Sequence, residues 1–172
     1  TLKSESYGGG ARVSSDEPRL SDRMSRSVLR GFAPAEFRLA RERAGMSRSD
    51  LARLSGIKTA ETIRRWELGL ASPQVDILAG AIRALAIPAD EVIITQPDTR
   101  SLADWRHLRL LTQPQLASTA NMSTSLLQQL ESGLGTLTTE RAERLADALE
   151  LEVSEVQRAH ERARRRPPGA PA

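Results

Sequence analysis

The chain has 172 residues, 39% of them hydrophobic and 3% aromatic, with a formal net charge of +3 and no cysteine. That length allows one ordinary domain or two small ones, and the lack of cysteine removes disulfide frameworks and thiolate metal sites. No signal-peptide pattern and no apolar run near ~18 residues occurs, so a cytoplasmic protein without a membrane span is expected.

Residues 1–33 include YGGGARVSSDEPRLSDRMSRS, rich in Gly, Ser and Arg with little periodic apolar content, and read as a flexible N-terminal arm. A first helix is expected to start between Pro34 and Glu36 and to stop by Gly45. Ser47 with Asp50 is a capping-box pair that opens a second helix carrying Leu51, Ala52 and Leu54. Ser55-Gly56 breaks it. A third helix, capped by Lys58 or Thr59, places Ile63 and Trp66 on one face and leaves Lys58, Glu61, Arg64 and Arg65 on the others. Gly69 closes it. Ser72-Pro73 predicts the start of a fourth helix with Val75, Ile77, Leu78, Ile82 and Leu85 as core candidates, and a short fifth helix is expected near Pro88 to Ile94.

Gln96-Pro97-Asp98 interrupts the chain, and the pattern starts again. Ser101 with Asp104 opens a helix bearing Leu102, Trp105, Leu108 and Leu111, and Thr112 with Gln115 opens the next. Leu116-Ala117 repeats Leu51-Ala52 at an offset of 65; Leu127 repeats Ile63, and Glu131-Ser-Gly133 repeats Glu67-Leu-Gly69, at an offset of 64. An internal duplication accounts for this, with one extra residue in the first copy between Ile57 and Ile63. Ser154 with Gln157 predicts the cap of a last helix that runs to Arg166 and stops at Pro167-Pro168. The units so defined are 34–95 and 101–166, with a disordered tail over 167–172.

Charge separates the copies. Residues 102–156 carry four basic and eight acidic side chains, whereas 157–172 carry five and one. Nucleic-acid binding must therefore rest on where charges sit, because +3 overall is modest. His107 and His160 are the only histidines, 53 residues apart and without a Cys partner, so they read as surface residues rather than a metal site or a triad. Trp66 and Trp105 occupy apolar positions and read as core. The run Arg162, Arg164, Arg165, Arg166 ends a helix, where cations favour the dipole; it serves either helix stability or a nonspecific grip on phosphate.

Arg41, Leu51-Ala52, Gly56 and Ile63-Arg-Arg-Trp66-Glu67-Leu-Gly69 together resemble the lambda-repressor-like helix-turn-helix family, also called Cro/C1 or XRE type. Arg106, Leu116-Ala117, Asn121 and Leu127-Gln-Gln-Leu130-Glu131-Ser-Gly133 carry the same resemblance. It covers Ala35 to Val92 and Leu102 to Val156. An all-α protein of two tandem five-helix domains of this kind is expected, since the helix signals recur at one spacing without a strand pattern, with the flexible arm before them and a basic C-terminal helix after. The resemblance implies that Arg41 pairs with Glu67, and Arg106 with Glu131, as structural ties. It also implies that the second helix opens with a phosphate anchor, a role carried over onto Gln113; the first copy departs here with Arg48, which can still serve phosphate and adds charge. Groove-facing roles carry over onto Ala60, Glu61, Arg64 and Arg65, with Lys58 and Thr59 at the helix start, and onto Thr124, Ser125, Gln128 and Gln129. Both copies lack the basic residues often found after the third helix, since LASP and LGTL stand there.

The chemistry of these side chains fits such roles. Arg64 and Arg65 can fork onto guanine O6 and N7, Gln128 and Gln129 onto adenine N6 and N7, and Glu61 can accept from cytosine N4. The second copy either binds DNA or serves packing and dimerisation. The function expected is that of a sequence-specific transcriptional regulator of double-stranded DNA, with repression expected ahead of activation. A homodimer is expected, without enzymatic activity, cofactor, metal or evident small-molecule effector. The alternative is a protein-interaction module, such as an antitoxin or phage-type adaptor, in which one or both repeats bind protein.

Overall fold

The computed structural model describes residues 29–166. The expected arm as far as residue 28 and the 167–172 tail lie outside the described residues. The first unit comprises α1 (Pro34–Arg43), α2 (Arg48–Ser55), α3 (Ala60–Glu67) and α4 (Val75–Leu85), followed by a 3-10 turn at Ala89–Glu91. The second comprises α5 (Leu102–Leu108), α6 (Gln113–Thr119), α7 (Thr124–Glu131), α8 (Thr139–Leu149) and α9 (Val153–Arg164). Among the described residues the protein is all-helical apart from one isolated bridge, Phe32 with Ile93. No helix among them is long and apolar enough to cross a membrane.

Helices of seven or eight residues do not persist alone in water, so burial holds them. In the first unit Phe37, Leu51, Ile63 and Leu78 are fully buried, and Trp66 meets Phe37 edge-on at 5.9 Å. In the second, Leu102, Leu116, Leu127, Leu130, Leu145 and Leu149 build an aliphatic core. Volume is traded at matched positions: Leu78 and Ala81 on α4 stand where Ala142 and Leu145 stand on α8. Leu108 and Leu110 lean on the first core, joining the two units.

The capping boxes Ser47/Asp50, Ser101/Asp104 and Thr112/Gln115 all form. Of the two residues proposed to cap α3, Thr59 does so, accepting from the Thr62 amide. Ser123 caps α7 in the same way, at an offset of 64 from Thr59. Ile57 and Met122, at an offset of 65, make the same backbone bond to Ala52 and Ala117. The extra residue of the first copy is therefore Lys58. In the turn itself, Gly56 (φ 75°) and Asn121 (φ 49°) supply the left-handed conformation, which Gly adopts without strain and Asn tolerates.

Several expected boundaries move. The arm drawn to residue 33 ends in packed structure, because Leu29 is buried and Ala33 donates to the Val92 carbonyl at 2.8 Å. The fifth helix of the first unit is only the 3-10 turn. Val92, Ile93, Ile94 and Thr95 are four consecutive β-branched residues, which resist helix and favour extended chain. Val92 to Ile94 pair with Gly31 to Ala33. Ser72-Pro73 does not open α4, which starts at Val75 with Gln74 as an uncapped N-cap, and Pro73 is buried instead. Likewise α9 starts at Val153 ahead of Ser154, because burying Val156, Ala159, His160 and Ala163 fixes its register. Leu111 falls beyond α5, after Leu110 at φ 55°.

Both histidines are buried, against the expectation of surface positions. His160 Nδ1–H donates to the Leu130 carbonyl at 3.0 Å. His107 is enclosed near the junction of the units, and burial, aided by the Arg106 charge, pushes its pKa down to about 4. Trp105 is half-buried rather than enclosed, with the Arg100 guanidinium 4.6 Å from its ring centroid.

The fold is centred on two buried ion pairs. Arg41 Nε donates to Glu67 Oε1 at 2.5 Å and its Nη1 to the Met46 carbonyl at 2.7 Å. Arg106 Nε and Nη2 fork onto Glu131 at 2.6 and 3.2 Å, and its Nη1 reaches the Leu111 carbonyl at 3.1 Å. A third donor completes each site: Arg48 Nε to Glu67 Oε2, and Gln113 Nε2 to Glu131 Oε2, both at 2.7 Å. Burial alone would raise the Glu67 carboxyl, yet the hydrogen bonds from Arg41 and Arg48 outweigh it and hold its pKa below the ordinary value.

Removing Arg41 leaves Glu67 facing the Arg48 cation, whereas removing Arg106 leaves Glu131 with the neutral Gln113. Arg106→Ala is therefore expected to destabilise its unit by about 3–5 kcal/mol and Arg41→Ala by about 1–3 kcal/mol. Amide exchange resolved by unit checks the order, and equal losses would contradict it. For His107, unfolded chains take up the proton near pH 6.5 while the folded chain takes it up only near 4. Stability is complete above about pH 6.5 and falls by roughly 3 kcal/mol as the pH drops toward 4. Denaturant titrations from pH 7 to 4.5 on wild type and His107→Leu measure this; a variant as pH-sensitive as wild type would assign the effect elsewhere.

Candidate nucleic-acid interface

The third helix of each unit divides cleanly into two faces. On α3, Ile63, Trp66 and Glu67 are buried, while Glu61, Arg64 and Arg65 are exposed. On α7, Leu127, Leu130 and Glu131 are buried, and Thr124, Ser125, Gln128 and Gln129 are exposed. The 3.6-residue period puts each polar set opposite the buried stripe. Ala60 is half-buried at the start of α3, Lys58 is exposed in the preceding turn, and the Thr59 hydroxyl is engaged in capping.

Within the α3 face the two arginines differ. Arg64 forks onto Glu61, with Nε to Oε2 at 2.7 Å and Nη2 to Oε1 at 2.9 Å. Hydrogen bonding from Arg64 lowers the Glu61 pKa and that from Glu61 raises the Arg64 pKa, so both stay charged. Arg65 has no ion-pair partner among the described residues. Of the pair, it alone presents its whole donor fork outward. The α7 face carries no formal charge, and its glutamines and hydroxyls offer both donors and acceptors.

Arg48 and Gln113 occupy the first helical positions of α2 and α6. Each lies beside its unit's third helix, because each donates to the buried glutamate at that helix's last residue. Arg48 remains 41% exposed at the side chain, so its guanidinium retains donors that can point outward. This bracing was not visible in the sequence, which holds no local signal for a pair 19 residues apart. The duplication was the available clue, since Arg48 and Gln113 hold equivalent positions ahead of equivalent glutamates.

The acidic surplus of the second unit is placed elsewhere. Glu140, Glu143, Asp147 and Glu150 belong to α8 or its cap, and Glu152 and Glu155 to the start of α9. Glu140 pairs with Arg144, Glu150 with Arg109, and Glu155 with Arg158 and Arg162. None of these carboxylates belongs to α7.

Comparison with known proteins agrees with this geometry. No curated protein and no solved structure matches the chain. A family model described as helix-turn-helix matches twice, over residues 37–92 and 102–156, which are the two units built around α2–α3 and α6–α7. The chain therefore belongs to the Cro/C1-type helix-turn-helix family of DNA-binding regulators, in two tandem copies.

Proposed function

We propose that the protein is a sequence-specific transcriptional regulator, acting by repression, that inserts α3 into the DNA major groove. The observation that carries this reading is the polar face of α3, where Arg65 presents an unengaged fork beside the Glu61–Arg64 pair. A guanidinium of this kind matches guanine O6 and N7 in bidentate fashion. Arg64 must leave Glu61 to do the same, an exchange of one fork for another. A freed Glu61 can then accept from cytosine N4 on the same pair or its neighbour. Lys58 and Thr59 precede α3, and Arg48 at the N-terminus of α2 supplies a cation where the helix dipole already favours phosphate. On α7, Thr124, Ser125, Gln128 and Gln129 suit readout of adenine through glutamine, with Gln113 in the place of Arg48. Such a mechanism needs no cofactor or metal.

One short recognition helix reads too few bases to select a site from a genome, and pairing two chains about a twofold axis doubles the readout. The proposal is therefore a homodimer on an inverted repeat. Light scattering of the free protein, with the symmetry of its footprint, tests this. A monomer on a nonpalindromic site would contradict it and point to the tandem units reading adjacent grooves.

The division of labour within the first unit is tested by affinity for a selected site and for scrambled DNA across a salt series. At least one of Arg64→Ala and Arg65→Ala is expected to lower affinity for the selected site about tenfold or more and to collapse its advantage over scrambled DNA. Arg48→Ala is expected to weaken both duplexes alike, with the salt slope flatter by about one ion. If the ratio depends instead on Gln128 or Gln129, the reader is α7.

A further inference from the structure

The turn after a recognition helix is where cations are most useful, because an eight-residue helix is about 12 Å long and the major groove about 12 Å wide. A helix lying in the groove brings that turn near a wall of phosphates, and its last carbonyls carry partial negative charge that repels them. In this chain neither turn is basic: Leu68 to Pro73 and Ser132 to Leu137 contain no Lys or Arg. The second unit nevertheless has cations there, brought in by another element. A Cβ on Gly133 would lie 2.6 Å from the Arg164 amide nitrogen and 2.7 Å from the Ala163 carbonyl carbon, so the end of α9 is seated directly on this turn. The His160 bond to Leu130 and the burial of Ala159 and Ala163 fix that seating. The matching position in the first unit, Gly69, faces Pro34 and no cation.

The four arginines at this end are not equivalent. Arg162 is consumed by the Arg100 carbonyl and Glu155, and Arg165 is paired with Glu161 at 2.9 Å. Arg164 is exposed and Arg166 half-exposed, and neither has a carboxylate partner among the described residues. We infer that Arg164 and Arg166 form a phosphate clamp through which α9 supplies the second unit with the DNA-backbone contacts that its own turn lacks. The inference rests on the DNA-binding reading above. It also assigns the second unit to the DNA rather than to packing alone, with its electrostatic grip carried by the last helix and its neutral α7 face left to discriminate bases.

The test compares the full chain with the double variant Arg164→Gln/Arg166→Gln. The probes are a duplex selected from a random pool and a scrambled duplex of the same length, across 50 to 200 mM salt. Loss of two phosphate contacts flattens the slope of log K against log salt by about 1.8, so wild type's advantage shrinks on the order of tenfold over that range, equally for both duplexes. The selected-to-scrambled ratio stays constant, and Arg164→Lys/Arg166→Lys restores the slope. An unchanged slope in the glutamine variant, with wild type binding normally, overturns the clamp alone. Wild type that binds neither duplex overturns the regulator reading and the clamp with it. A glutamine variant that melts earlier than wild type while the lysine variant restores melting but not slope would make these arginines structural, and would also overturn the clamp.

Discussion

Each unit depends on one buried arginine reaching from its first helix to the glutamate that ends its third. A charge taken out of water needs its hydrogen bonds completed, and the geometry complies: the guanidinium also holds the carbonyl of Met46 or Leu111, and the carboxylate receives another donor from the start of the second helix. Three helices are thereby fixed at one point. Apolar burial supplies the bulk of the stability, but it is tolerant of rotation and sliding, whereas a fork on a carboxylate is directional. The exposed face of the third helix inherits its orientation from that constraint, with Glu67 and Glu131 anchoring its inner side.

The two copies meet the same requirement with different materials. The first uses aromatic packing, two cations on one carboxylate, and a β-branched tail that runs extended beside Phe32. The second uses leucine, a cation and a neutral amide on its carboxylate, and a full terminal helix. These choices divide charge between them. In the first unit basic residues sit on the third helix itself; in the second, that helix lacks cations, and the arginines without a carboxylate partner among the described residues are Arg141 on α8, which donates to the Thr136 carbonyl, and Arg164 and Arg166 at the end of α9. A duplicated fold has thus come to present two surfaces of different chemistry.

Much of this was legible in the sequence because its causes are local. The capping boxes Ser47/Asp50, Ser101/Asp104 and Thr112/Gln115, the Gly56 and Asn121 turn, and the apolar stripes of the third helices depend on residues close in sequence, and these stand as read. The buried Arg–Glu pairs span 26 and 25 residues and were implied by resemblance, not by any local pattern. What failed was decided by competition between local and tertiary demands. Ser72-Pro73 and Ser154 look like helix starts, but the core residues behind them set the register. His107 and His160 look polar, but their faces of α5 and α9 are buried, which two isolated histidines in a sequence do not announce. The four β-branched residues after Glu91 were an available warning against a fifth helix in the first unit.

The central claim is that the outward face of a third helix reads DNA from the major groove. Methylation interference addresses it directly, because a methyl group on guanine N7 projects into the major groove and one on adenine N3 into the minor groove. On the selected duplex, wild-type protein is expected to be blocked by N7 methylation at one or more guanines within each half-site and to be indifferent to N3 methylation there. Binding that tolerates N7 methylation at every position, or that is blocked only from the minor groove, would contradict the account.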